Sequence, residues 1–122
     1  MIQLKRAYEK QSDADGERFL VDRLWPRGVT KSALAVAAWL KDAAPSTELR
    51  KWYGHEPEKW NEFRKRYFAE LEKAPEAWKP LIEAARKGAI TLVYSSQELE
   101  RNNAVVLKEF LEAKSKKASL RG

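Results

Sequence analysis

The chain has 122 residues, the size of one domain, and 43% of them are apolar, enough for a core of ordinary density. Its 24 basic and 18 acidic residues leave a net charge of +6, which favours anionic partners, and the lack of cysteine excludes disulfides and thiolate chemistry and fits a reducing compartment. Met1-Ile2-Gln3-Leu4-Lys5-Arg6 meets charge too early for a signal peptide, and no apolar run nears the roughly 18 residues of a membrane span, so a cytoplasmic protein with no membrane contact is expected.

Ile2 to Tyr8 alternates apolar and polar residues, which predicts a half-buried strand near a sheet edge. Gln11 to Gly16 is polar and ends on the turn signal Asp15-Gly16. Phe19 to Trp25 opens on a continuous apolar run, predicts a second strand covered on both faces, and breaks at Pro26. Thr30 can cap a helix from Lys31 to about Lys41, and Ser46 one through Arg50 to Tyr53 with Glu48 in its first turn. Pro57 suits the first turn of a longer helix, on which Trp60, Phe63, Tyr67 and Leu71 recur at helical spacing. Trp78, Leu81, Ile82 and Ala85 form the stripe of the next helix, which Gly88 stops. Ala89 to Tyr94 is the clearest strand. A last helix runs from about Asn102 to Lys114 and buries Val106, Leu107, Phe110 and Leu111.

Buried strands separated by helices predict an α/β fold: a small, mostly parallel sheet of three or more strands, flanked by about five helices in three layers. Residues 1–114 read as a single domain and 115–122 as a flexible basic tail carrying Lys116, Lys117 and Arg121. Ligands of open parallel sheets sit beyond the carboxyl ends of the strands. Here those ends are Asp22 to Gly28 and Tyr94 to Asn103.

Asp22-Arg23-Leu24-Trp25-Pro26-Arg27-Gly28 places one carboxylate and two guanidiniums at a buried strand exit. Strand alternation would turn Asp22 and Arg23 to opposite faces, so each needs another partner. Arg23 or Arg27 can bind an anion while Asp22 orients it or accepts a proton, or both can form ion pairs that pin the following helices. Lys41, Ser46 and Arg50 form a second polar set, in which Ser46 is either an anion ligand at a helix start or simply an N-cap. His55 is the only histidine, a candidate general acid or base or a loop residue bonded to backbone, and it cannot build a histidine cluster for metal. Ser95 and Glu98 fit a capping box, yet Ser95 also sits where substrates bind. It lacks a G-x-S-x-G elbow, so a hydrolase nucleophile is not expected. Of Asn102 and Asn103, one is expected to cap the last helix and the other to face the pocket.

The candidate catalytic residues are therefore Asp22, His55 and Tyr94. The candidate ligand-binding residues are Arg23, Arg27, Lys41, Ser46, Arg50, Ser95 and Asn102. No metal or cofactor is expected. With 5 glycines, the chain holds neither a P-loop nor G-x-G-x-x-G, and it shows no helix-turn-helix or RNA-recognition signature.

Phe19 to Gly28 (FLVDRLWPRG), Trp39-Leu40-Lys41, Ala44 to Arg50, His55, Trp60, Phe63, Tyr67 with Glu70-Leu71, Thr91 to Ser95, and Asn102 with Ala104 to Leu107 together resemble the YeaO-like branch of the DUF488 family. The resemblance spans nearly the whole chain in order and spacing. It implies a bacterial or archaeal source, an α/β fold, and characteristic polar positions at Asp22, Arg23, Arg27, Lys41, Ser46, Arg50, His55, Tyr94 and Asn102. Many relatives carry an aspartate in the loop after the last strand, where this chain has Glu98. Larger members carry a Cys-His-Arg motif where this chain reads Arg101-Asn102-Asn103-Ala104, so chemistry through that cysteine does not transfer.

Three functions remain in view. The first is a small enzyme or binder for an anionic, nucleotide-like or phosphorylated ligand. The second is a nucleic-acid-associated protein, suggested by the charge and by Arg64-Lys65-Arg66, although Glu62 and Glu70 share that helix. The third is a structural or interaction protein whose polar residues are ion pairs.

Overall fold

The structure, a computed structural model, describes residues 1–121, with side chains through residue 116. Four strands, β1 (Ile2–Arg6), β2 (Glu17–Leu20), β3 (Ala38–Trp39) and β4 (Ile90–Tyr94), pair in the order β1-β4-β2-β3, every pair parallel. The α-helices are α1 (Lys31–Leu34), α2 (Thr47–Tyr53), α3 (Trp60–Glu72), α4 (Pro75–Lys87) and α5 (Asn103–Arg121). No helix is long and apolar enough to cross a membrane among the described residues.

The three layers follow from strand alternation. Phe19, Leu92 and Tyr94 point to one face, where the main core joins them to Tyr67, Leu71, Leu81, Leu107 and Phe110 of α3 to α5. Leu20 and Val93 point to the other face, against Leu34 of α1 and the half-buried Trp25, Val29 and Trp39. Central β4 is buried along its whole length, as its unbroken apolar run predicts. The helical stripes behave as the spacing predicts: Phe63, Tyr67 and Leu71 are buried on α3, and Val106, Leu107, Phe110 and Leu111 on α5.

Four expectations are corrected. The first strand ends at Arg6 rather than Tyr8. The second spans Glu17–Leu20, not Phe19 to Trp25. After Val21 donates to the Val93 carbonyl (3.1 Å), the chain bends away at Asp22, so Asp22 and Arg23 lie beyond the ladder and strand alternation does not set their directions. The helix expected from Lys31 to Lys41 lasts one turn. Ala35 closes it in the left-handed region (φ 51), and Ala37 and Leu40 then donate to the Arg18 and Leu20 carbonyls, making β3. Those apolar residues favour helix locally, but the unpaired carbonyls of β2 take them as a strand. The last helix starts one residue later than expected and its backbone continues to Arg121. Of the expected tail, Gly122 lies outside the described residues, as do the side chains of Lys117 and Arg121.

At the amino end of the sheet, Asp15 and Arg18 are both buried. Arg18 Nη1 donates to Asp15 Oδ2 (2.7 Å), and Lys5 Nζ approaches Oδ1 (3.0 Å). Burial raises the Asp15 carboxyl, but hydrogen bonds from Lys5, the Ser12 amide and Arg18 outweigh it and hold the group below its ordinary value. Gly16 follows at φ 64, where a Cβ would lie 2.0 Å from the Ala89 carbonyl oxygen.

Candidate functional site

The carboxyl ends of β2 and β4 frame a cleft of about 360 Å³, within the size range of small-molecule sites. At its base, Asp22 joins the two strand ends. Its Oδ2 accepts from the Ser95 amide (2.9 Å) and from Ser95 Oγ (2.7 Å). Its Oδ1 accepts from Asn103 Nδ2 (3.1 Å), which also donates to the Val21 carbonyl (3.0 Å). The carboxylate at the strand exit is thus satisfied by three protein donors.

Two arginines hold the cleft walls. Arg23 donates from Nε to the Pro45 carbonyl (3.1 Å) and from Nη2 to the Ala44 carbonyl (3.3 Å), fixing the loop before α2. Arg6, at the end of β1, donates from Nε to the Ser96 carbonyl (2.8 Å) and from Nη2 to the Ser95 carbonyl (3.4 Å), fixing the loop after β4. Arg50 and Lys51 of α2 and Arg101, just before α5, are exposed cations on the same cleft. Among the described residues none of Arg23, Arg50, Lys51 or Arg101 forms an ion pair with a carboxylate. Leu24, Pro45, Tyr53 and Phe63 supply apolar lining. Burial raises the Tyr53 phenol; Arg101 opposes that shift and Glu98 adds to it.

Of the ten candidate residues, Asp22, Arg23, Arg50, His55, Ser95 and Asn102 line the cleft. The others do not. Arg27 is exposed, its carbonyl accepts from Tyr8 Oη (3.1 Å), and Gly28 beyond it turns the chain at φ 77. Lys41 lies over the Trp39 ring at 4.1 Å. Ser46 caps α2 through the Leu49 amide (3.1 Å) and donates to Glu70 Oε2 (2.6 Å), so its polar atoms are engaged by protein. Tyr94 points into the core, 4% exposed, and burial pushes its phenol up, with Glu9 adding to the shift.

His55 is exposed in a left-handed backbone conformation (φ 58) and makes no hydrogen bond with the described residues, so it forms no catalytic pair with Ser95, Asp22 or Tyr94. Ser95 and Glu98 build no capping box. Instead, Asn102 Oδ1 accepts from the Val105 amide (2.9 Å) at the start of α5, and Asn103 is the asparagine that reaches the strand ends. Sequence reasoning did not single out Arg6, Lys51, Ser96 or Arg101. The one available signal was the position of Arg101, directly before a capping asparagine at the exit of a buried strand. Among the described residues no cluster of histidine and carboxylate side chains could hold a metal.

A small three-layer α/β domain on a parallel sheet, with a cationic cleft at its carboxyl edge, is the class that fold and site define. The chain belongs to the YeaO-like DUF488 family: the model described as the inactive DUF488-N3 subclade matches residues 1–121. Similar proteins include the uncharacterized protein YeaO of Escherichia coli, 44% identical over 110 residues, which are 90% of this chain and 96% of that one. Uncharacterized proteins of Mycobacterium tuberculosis and Mycobacterium bovis are 40% identical over 110 residues, 90% of this chain and 92% of each of them. No solved structure matches the chain.

Proposed function

We propose that this protein is a cytoplasmic, non-catalytic binder of a small anionic metabolite, phosphate- or carboxylate-bearing, in the cleft between the β2 and β4 loops. The observation that carries this reading is the convergence of Arg23, Arg50, Lys51 and Arg101 on one concavity whose single carboxylate, Asp22, is already engaged by protein donors. Guanidiniums left without carboxylate partners at a cleft suit the paired oxygens of a phosphate or a carboxylate. Binding is favoured over catalysis because Ser95 Oγ is held by Asp22 with no histidine in the chain of hydrogen bonds, and the subclade's description as inactive agrees.

The reading is tested by titrating inorganic phosphate and phosphorylated sugars calorimetrically into the wild type and into Arg50→Ala/Arg101→Ala. Removing charged contacts should weaken binding by about tenfold or more. Equal affinity in the double variant would overturn the proposal.

Nucleic-acid association has less support. Arg64 pairs with Glu109, and Arg66 pairs with Glu62 (3.1 Å) and lies over Trp52 at 4.1 Å, so that helix presents mixed charge.

A further inference from the structure

The cationic cleft does not end at its own rim. A second concavity of about 500 Å³, lined by His55, Ser96, Gln97 and Glu98, shares His55 and Ser96 with the first. The two adjoin at His55 and Ser96, and their linings differ chemically. The first carries Arg50, Lys51 and Arg101. The second carries a carboxylate and a primary amide. The shared His55 ring is exposed, and its centroid lies 6.1 Å from that of Tyr53.

Glu98 is not a loosely placed surface acid. Its Oε1 accepts from the amides of Glu100 (3.1 Å) and Arg101 (3.3 Å), and its own amide donates to Ser96 Oγ (3.1 Å). Arg6 anchors the same loop from below through the Ser96 carbonyl. The loop is thus tied at both ends, and Oε2 of Glu98 takes no hydrogen bond from the described residues. A fixed acceptor on one side and exposed cations on the other ask for a ligand that carries both N–H donors and an anion. Tyr53 lines the first concavity next to His55.

Building on the anion-binding reading, we infer that the ligand is a nucleoside monophosphate bearing an exocyclic amino group. Its phosphate lies among Arg50, Lys51 and Arg101, its ring against His55, and its amino edge on Glu98 and Gln97. A free phosphate or a sugar phosphate carries no exocyclic amino group for Glu98.

The test is calorimetric titration of AMP, GMP, purine riboside 5′-monophosphate (which lacks the amino group) and ribose 5-phosphate into the full chain. The better of AMP and GMP should bind at least about tenfold tighter than either of the last two, the discrimination expected when one hydrogen bond to a charged acceptor is lost. Glu98→Gln keeps an oxygen for the two backbone amides but replaces the free acceptor with a donor. It should abolish the preference for the amino-bearing nucleotide. Equal affinity for all four probes would overturn the nucleotide assignment while leaving the anion site standing. So would a preference that survives Glu98→Gln. Failure of all four to bind would overturn both.

Discussion

Asp22 and Ser95 lie 73 residues apart in sequence and meet through two hydrogen bonds to one carboxylate oxygen, at 2.9 and 2.7 Å. This contact ties the exit of β2 to the exit of β4 and sets the floor of the cleft. Asp22→Asn either places an amide donor against the Ser95 amide or turns it toward Asn103 Nδ2. The site is half-buried, so the expected loss is about 1–2 kcal/mol, the lower part of the usual cost of a disrupted hydrogen-bonding site. Urea unfolding midpoints should show it without ligand present, and a variant as stable as wild type would mean that the carboxylate is not a structural tie.

Arg23 was a candidate ligand residue, and the structure gives it a second task. Its fork spans the Ala44 and Pro45 carbonyls, a geometry that a lysine ammonium cannot reproduce. Arg23→Lys should therefore keep the charge and still loosen the loop, lowering the thermal midpoint by a few degrees. Hydrogen exchange of the amides from Ala44 to Leu49 should rise in the variant. Unchanged exchange would assign Arg23 to the ligand alone.

Asp15 predicts a specific acid dependence. Its folded value lies below the ordinary 3.8, so its contribution to stability is present above that value and is lost as pH falls through the lower folded one. Asp15→Asn should remove this part of the acid sensitivity. At pH 7 it should cost about 3–5 kcal/mol, because Arg18 is left buried without its partner. The gap between variant and wild type should narrow below about pH 4, and urea titrations at pH 7 and pH 3 measure it.

Gly16 should tolerate no side chain. Alanine there combines φ 64 with an overlap against the Ala89 backbone, which belongs to the approach to β4 and cannot swing aside. The expected cost is at least about 2 kcal/mol, from the left-handed backbone and the displaced strand together. Gly28→Ala is the control. It shares a positive φ (77), but no atom lies within 4 Å of its Cβ position, so its loss should be smaller.

The elements that were legible in advance are those with strong local signals. Tyr67 and Leu71 repeat at helical spacing, Ile90 to Val93 form an unbroken apolar run, and Gly88 stands where α4 stops. The cleft was legible as a place, because parallel strands leave their ligands at their carboxyl ends. Its membership was legible only in part. Arg101 and Lys51 carry no pattern that distinguishes them from other surface cations. Arg27 and Lys41 carry the same charge in equally suggestive positions, yet turn away from the cleft.

The amino-acid sequence by itself determined the α/β class, the helix stripes, the strand that became the sheet centre and the sheet edge where the cleft opens. These depend on hydrophobic period and on capping and turn residues, which act over a few positions. Only the tertiary structure decided that Ala38-Trp39 is a strand, that Asp22 serves Ser95 and Asn103, and that Arg6 and Arg23 hold loops. Each of those outcomes rests on an unpaired carbonyl or a carboxylate meeting donors from a distant segment. No local pattern contains that information, because the partner exists only once the sheet has formed.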